Sequence, residues 1–369
     1  MTRRRHFMLA MTTVSSTIIA CLVLAEIVLR FCPVNSGTRP EAVTADRPIF
    51  HFTPNLHYVH SRNWNFELVN YGRVNNFGWV NDQDYRKEDP TPLLAVIGDS
   101  YIEALMVPYP KTVHGRLAQA LDGKLRVYSF AASGAPLSQY LIWARHAVRE
   151  FDAKALVINV VGNDFDESHI AYLNDWRGYW LYAAGPDGQL ELRLVEYHPG
   201  LFRPVVHSAL ARYLFLNLGV LKLWSELQNW LFGPAIAAPL YAGHTLASTD
   251  PIRMRDSLAV IDAFFRDFAE QVGLPPGRVL FTMDGFRYPA LAEEGAGTYF
   301  DLMRQAFQRK ARSLGYEVID LDPSFFSHYA KHAEPFDFPM DGHWNATAHG
   351  IAAEEILASK LIAELTHQP

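Results

Sequence analysis

Three apolar runs in the sequence end in residues that could act on an ester: Gly98-Asp99-Ser100, Ser133-Gly134 and Gly162-Asn163-Asp164. A fourth polar block, Asp341-Gly342-His343-Trp344-Asn345, lies near the C-terminus. A serine hydroxyl is a poor nucleophile until a base takes its proton. His343 is suited to be that base. Asp341 stands two residues earlier in an extended stretch and so points the same way; its carboxylate could hold the imidazole Nδ1–H and leave Nε2 facing Ser100. Attack on a carbonyl creates an oxyanion, which needs preorganised donors. The amides of Ser100 and Gly134 and the side-chain amide of Asn163 are the candidates for that oxyanion hole. Glycine at 134 leaves room for close approach to a substrate.

Each residue also has a plainer reading. Ser100 could cap the helix that follows it, and Asn163 could be an ordinary turn residue. Asp99 is assigned to shaping the loop around Ser100, and Asp164 to stabilising the loop after the third strand. Asp337 is a rival partner for His343, His349 reads as a satisfied histidine on the last helix, and Gly78 as a turn glycine.

The candidates can meet only if the elements between them bring strand ends together. Pro92–Gly98 is a continuous apolar run bounded by turn residues, as in a central strand buried on both faces. A helix over about 109–121, a strand over Leu125–Phe130, an amphipathic helix opened by Pro136 and a third strand ending at 162–164 follow. After a break, a helix over 251–272, the strand of "RVLFTMDG", a helix over about 298–314, the strand of "YEVIDL" and a last helix from about 346 to 365, capped by Asn345, resume the alternation. The expected fold is α/β, a doubly wound sheet of about five parallel strands. In such a sheet the carboxyl ends of the strands share one edge, where ligands bind.

The expected organisation is a cytoplasmic tip and membrane anchor over residues 1–31, an irregular lead-in with short strands over 32–91, and a main domain over 92–365. An aromatic-rich insertion over about 165–250 interrupts that domain. It holds a hairpin around Gly185-Pro186-Asp187-Gly188 and an apolar helix over about 208–232, and reads either as a lid or as core packing.

Four blocks in this order resemble those of the SGNH hydrolases, also called the GDSL family: "GDS" after the first strand, a Gly after the second, "GND" after the third and a late "DGHWN". "VNNFGWVND" before the first strand and "AEIVLRF" after the anchor are similar to membrane-anchored members. The resemblance implies that Ser100 is the nucleophile, His343 the base, Asp341 its partner, and Gly134 and Asn163 oxyanion donors. The last pair is spaced D-x-H here, where many members have D-x-x-H. That spacing is similar to the branch of polysaccharide O-acetyltransferases and acetylesterases, which implies acyl groups on envelope glycans as substrates; an apolar, aromatic lid would favour a lipid or a stacked sugar, and no cofactor is expected.

The chain of 369 residues is 49% hydrophobic with a net charge of −6, a balance that argues against a nucleic-acid partner. Cys21 and Cys32 make neither a disulfide framework nor a metal-binding pattern. Arg3, Arg4 and Arg5 precede an uncharged run, Phe7–Ala25, which as a helix reaches roughly 28 Å, enough to cross a bilayer. The arginines put the N-terminus inside and the bulk outside, as a single-pass signal-anchor in the plasma membrane with the main domain on the periplasmic side. A lipoprotein site at Cys21 and a buried soluble helix are the alternatives for this segment. For function the alternatives are a non-catalytic glycan-binding protein on the same fold and a metal-dependent phosphoesterase; the latter lacks a histidine close to Asp99.

Overall fold

The structure is a computed structural model that describes residues 2–173, 178–200, 206–220, 241–243, 245–339 and 341–367. The chain forms two compact units. The larger comprises Arg39–Leu56, Arg73–His198 and Ala238–Pro369; the smaller comprises Met1–Thr38, His57–Gly72 and Pro199–Ala237. The lead-in and the insertion are thus each divided between the two.

The larger unit is built on β1 (Leu93–Gly98), β2 (Arg126–Ala131), β3 (Ala153–Val160), β4 (Val279–Met283) and β5 (Glu317–Asp320). All pair in parallel, in the order β5-β4-β3-β1-β2. This is the expected doubly wound α/β fold, with five strands.

Besides the shorter helices Pro289–Gly295 and Lys360–Thr366, its α-helices that pack on the sheet or lead to the site are, in chain order, α1 (Ser100–Glu103), α2 (Val113–Ala120), α3 (Leu137–Phe151), α4 (Pro251–Val272), α5 (Tyr299–Ser313), α6 (Asp322–His332) and α7 (Ala346–Leu357). Every residue of β1 is buried, because alternate side chains serve opposite faces. Leu94 and Val96 join a core with Val113 and Leu117 of α2 and Ile351 and Ile356 of α7. Behind β4, Phe281 packs on Phe264 of α4 and Phe307 of α5, with ring centroids 6.2 and 5.2 Å away. Each such buried side chain contributes about 1.5–3 kcal/mol, so the strand ends sit on a stiff base.

Local chemistry sets the helix ends. Asn345 accepts the amides of Thr347 and Ala348 and caps α7, as expected. The last helix is not continuous: Ser359 accepts the amide of Ile362 and starts a separate helix, Lys360–Thr366. The helix expected near 109 starts at Val113, where Thr112 accepts the amide of Gly115; a 3₁₀ turn over Tyr109–Lys111 precedes it. α6 precedes a short antiparallel pair, β6 (Asp337–Phe338) and β7 (Asp341–Trp344), and β7 carries most of the C-terminal block. The hairpin around 185–188 pairs Trp180–Ala184 with Leu190–Leu194.

In the smaller unit the N-terminal helix runs over Thr2–Leu29, long and apolar enough to cross a membrane, with its apolar side chains exposed. Strands His57–Arg62 and Leu68–Arg73 pair in a two-stranded sheet. The expected apolar helix near 208 is a short turn, Ala209–Arg212, continued by a π-helical stretch, Tyr213–Asn217. The part of that helix expected beyond residue 220 lies outside the described residues.

Candidate active site

Strand register carries the polar blocks to one edge of the sheet. Gly98 is level with Ala131, and Ile97 with Ile158, while Met283 is level with both Val160 and Asp320. The segments after β1, β2, β3, β4 and β5 therefore emerge together. Strand order reverses between β1 and β3, and ligand crevices form at such a switch point.

The turn after β1 is tight. A Cβ on Gly98 would come within 2.5 Å of Ile102 Cγ1, so the residue must be glycine for the chain to turn straight into α1. Asp99 caps α1, its Oδ1 accepting the Tyr101 amide at 2.9 Å. The capping role therefore falls to Asp99 rather than Ser100, which is the first helical residue and half-buried. Ser100 Oγ lies 2.8 Å from His343 Nε2 and 3.2 Å from Asp99 Oδ2. The hydroxyl has one proton to donate, and the shorter contact directs it at the imidazole. Burial pushes the Asp99 carboxyl up to about 6, against the opposing pull of the Tyr101 amide and His343.

His343 sits on β7. Its Nδ1 hydrogen-bonds Asp341 Oδ1, and its own amide donates to the same oxygen at 3.1 Å. Asp341 thereby fixes both the ring and the main chain of the residue it orients. Asp337, the rival partner, instead accepts the Tyr288 hydroxyl at 2.9 Å.

Between Asp341 and His343, the Gly342 carbonyl accepts Arg287 Nη1 at 2.6 Å and the Tyr101 hydroxyl at 3.3 Å. Arg287 is buried, and its Nη2 donates to Asp284 Oδ2 at 2.7 Å and to the Tyr101 hydroxyl. Asp284 Oδ1 also accepts the Trp344 indole at 3.0 Å. The Arg287 backbone is left-handed, φ +67°, and its amide donates to Asp322 Oδ1 at 2.9 Å. A non-glycine residue there costs about 1–3 kcal/mol, which the surrounding bonds must offset. The clamp comes from the "DGFR" segment at the end of β4, which sequence analysis did not select. The signal available was that "DG" ends a strand just as the other three blocks do.

Gly134 follows β2 with a left-handed backbone, φ +74°. Its neighbour Ser133 donates its amide (2.8 Å) and its hydroxyl to Glu103 Oε2, and its carbonyl accepts the Tyr179 hydroxyl at 2.9 Å. Glu103 is the last residue of α1, so it ties the Gly134 turn to the short helix that starts at Ser100. Its carboxyl is buried, which pushes it up to about 7, and its Oε1 has no hydrogen-bond partner. Glu103 was also missed, since a lone acid in "SYIEA" carries no motif.

Asn163 follows β3 and donates from Nδ2 to Glu167 Oε2 at 2.8 Å, a bond that uses one of its two amide protons. Asp164 accepts the Val161 amide at 2.7 Å and the Tyr140 hydroxyl at 2.8 Å, which pins the same turn. His349 is buried on α7, where Nδ1 accepts the Val113 amide at 3.2 Å and burial lowers it to about 3. It is a neutral packing histidine. Gly78 is a left-handed turn residue, φ +84°.

A cleft of about 680 Å³ has Gly342, the neighbour of His343, in its wall. Phe286, Arg287, Tyr288 and Leu291 line it, as does Tyr241 from the insertion. Among the described residues no three His, Cys, Asp or Glu side chains come together as metal donors.

Fold and site together define a doubly wound α/β protein with a hydrogen-bonded Ser–His–Asp chain at the carboxyl edge of its sheet. No family model matches the chain, and no curated protein sequence matches it. Among solved structures it is similar to a member of the lipolytic G-D-S-L family from Veillonella parvula, at 10% identity over 73% of this chain and 98% of that one, with a TM-score of 0.38. An acetyl xylan esterase, AlAXEase, is similar at 11% identity over 72% and 98% of the two chains, TM-score 0.37. TesA is similar at 14% identity over 74% and 99%, TM-score 0.36.

Proposed function

We propose that the chain is a serine esterase or O-acyltransferase of the SGNH type that works through an acyl-enzyme on acylated envelope glycans or lipids. The observation that carries this reading is the continuous chain from Ser100 Oγ through His343, 2.8 Å from Nε2, to Asp341.

As Ser100 Oγ bonds to the ester carbonyl carbon, its proton passes to His343 Nε2, and Asp341 stabilises the imidazolium through Nδ1–H. The carbonyl π electrons move to oxygen, and that oxyanion is received by the amides of Ser100 and Gly134 and by Asn163 Nδ2. Collapse breaks the bond to the leaving alkoxide, which takes the proton from Nε2 and departs as the alcohol. Water attacks the acyl-enzyme in hydrolysis, and a glycan hydroxyl attacks it in transfer; His343 takes that nucleophile's proton and returns it to Ser100. Phe286, Tyr288 and Tyr241 give the adjoining cleft the flat apolar walls that suit a sugar ring or an acyl chain. With the N-terminal helix as its anchor, the enzyme works on the periplasmic side of the plasma membrane.

The test is acetate release from an acetylated polysaccharide by the full-length protein in excess chelator. Wild type releases acetate and Ser100→Ala does not. Equal release by the variant, or loss of wild-type release on chelation, would sink the reading.

A further inference from the structure

The smaller unit has its own chemistry. Outside the N-terminal helix, the exposed large aromatics among the described residues are Phe31, Trp64, Tyr71, Phe215, Tyr241 and Tyr329, and the first four of these belong to the smaller unit. Trp64 is 71% exposed at the tip of the hairpin between His57–Arg62 and Leu68–Arg73. An indole so exposed in water is unfavourable, whereas indoles concentrate where hydrocarbon meets headgroups.

A chain of hydrogen bonds limits how far this tip stands from the end of the helix. Glu26, about one turn before the helix ends, accepts the Ser208 hydroxyl (2.8 Å) and the amides of Ala209 (3.1 Å) and Leu210 (2.8 Å). One turn further on, the Tyr213 hydroxyl donates to the Trp64 carbonyl at 2.8 Å, and the Tyr213 ring packs on Phe66, centroids 5.6 Å apart. The rise from Leu210 to Tyr213 is about 4.5 Å, and with the length of a tyrosine and the two hydrogen bonds the Trp64 carbonyl stays within roughly 17 Å of the Glu26 carboxylate. Asn217 extends the tie, accepting the Asn35 amide at 3.0 Å and donating to Ser61 Oγ at 2.8 Å. The tip is thus held beside the end of the apolar helix, where a bilayer crossed by that helix has a headgroup layer about 5–8 Å thick.

We propose that the smaller unit seats on the phospholipid headgroup layer, with the Trp64 tip inserted beside the N-terminal helix. This rests on reading that helix as a membrane span. A helix alone leaves a protein free to tilt; a second contact fixed to it through Glu26 and Tyr213 restricts the tilt.

The test uses the full chain in phosphatidylcholine–phosphatidylglycerol vesicles. Alkaline carbonate washing should leave the protein in the vesicles. Tryptophan emission is then measured with lipids brominated high or deep in their tails, for wild type and Trp64→Phe. The emission lost in Trp64→Phe should be quenched strongly by shallow bromine and weakly by deep bromine, with the melting temperature unchanged. Retained protein whose Trp64 emission escapes both quenchers, as it would if a protein partner covered the tip, overturns the seating alone. Release by carbonate overturns the span, and the seating with it.

Discussion

Ser100 and His343 meet across 2.8 Å, yet opposite kinds of structure bring them there. Ser100 is placed by main chain. A strand buried on both faces ends in Gly98, Asp99 caps the turn, and the hydroxyl emerges at the switch point of the sheet. His343 lies on a two-stranded ladder outside that sheet, and buried charge steadies its loop. Arg287, balanced by Asp284, grips the Gly342 carbonyl between His343 and Asp341. Ser100 inherits rigidity from the fold, while His343 is held by side chains reaching from a different strand end. Changes on the nucleophile side should therefore affect chemistry first, and changes at the clamp should affect stability first.

The largest expected effect removes the meeting point itself. Ser100→Ala or His343→Ala should lower kcat on a soluble ester by about 10⁴–10⁶-fold and leave the melting temperature near wild type. Arg287→Met should do the reverse. It removes the counter-charge of buried Asp284 and should cost about 3–5 kcal/mol in denaturant unfolding. An Arg287→Met protein as stable as wild type would break the contrast between the two halves.

Glu103 sharpens the comparison from the nucleophile side. Glu103→Leu leaves the Ser133 amide and hydroxyl without their acceptor. The Gly134 turn should then lose its aim, with kcat down on the order of 10²-fold and KM little changed. Glu103→Gln keeps an acceptor oxygen and should recover most of that rate. Equal kcat losses in both variants would contradict a positioning role.

The smallest effect is in the pH dependence of stability. The folded state pushes Glu103 up to about 7 from a usual 4.5, so it favours the neutral carboxyl. The resulting stabilisation is complete below about pH 4.5 and is lost as pH rises through about 7. Glu103→Gln cannot titrate, so its unfolding free energy should fall less than that of wild type across this window. Parallel curves would show that Glu103 titrates as it does in the unfolded chain.

The same contrast explains what could be read in the sequence. Continuous apolar runs ending in Gly, Asp or Asn made the five strands and the positions of Ser100, Gly134 and Asn163 legible, because burial on both faces leaves a local pattern. Asp341 beside His343 was legible from spacing alone. Arg287 was not, since a buried arginine looks like any other until its partners Asp284, Tyr101 and Gly342 are seen together. Glu103 was hidden for the same reason, its partner Ser133 lying 30 positions away. The helix α6 was also missed, and a last helix was drawn through Ser359, where a side-chain cap starts a new one. The division into two units depends on contacts between residues as distant as Asn35 and Asn217, which no local pattern encodes.

The central claim is that Ser100 is a nucleophile activated by His343, and covalent capture tests it most directly. The full-length protein is treated with a fluorophosphonate and digested, and the modified peptide is sequenced by mass spectrometry. The adduct should lie on Ser100, form in excess chelator, and disappear in Ser100→Ala and His343→Ala. An unlabelled wild type, or equal labelling of Ser100→Ala, would contradict the account.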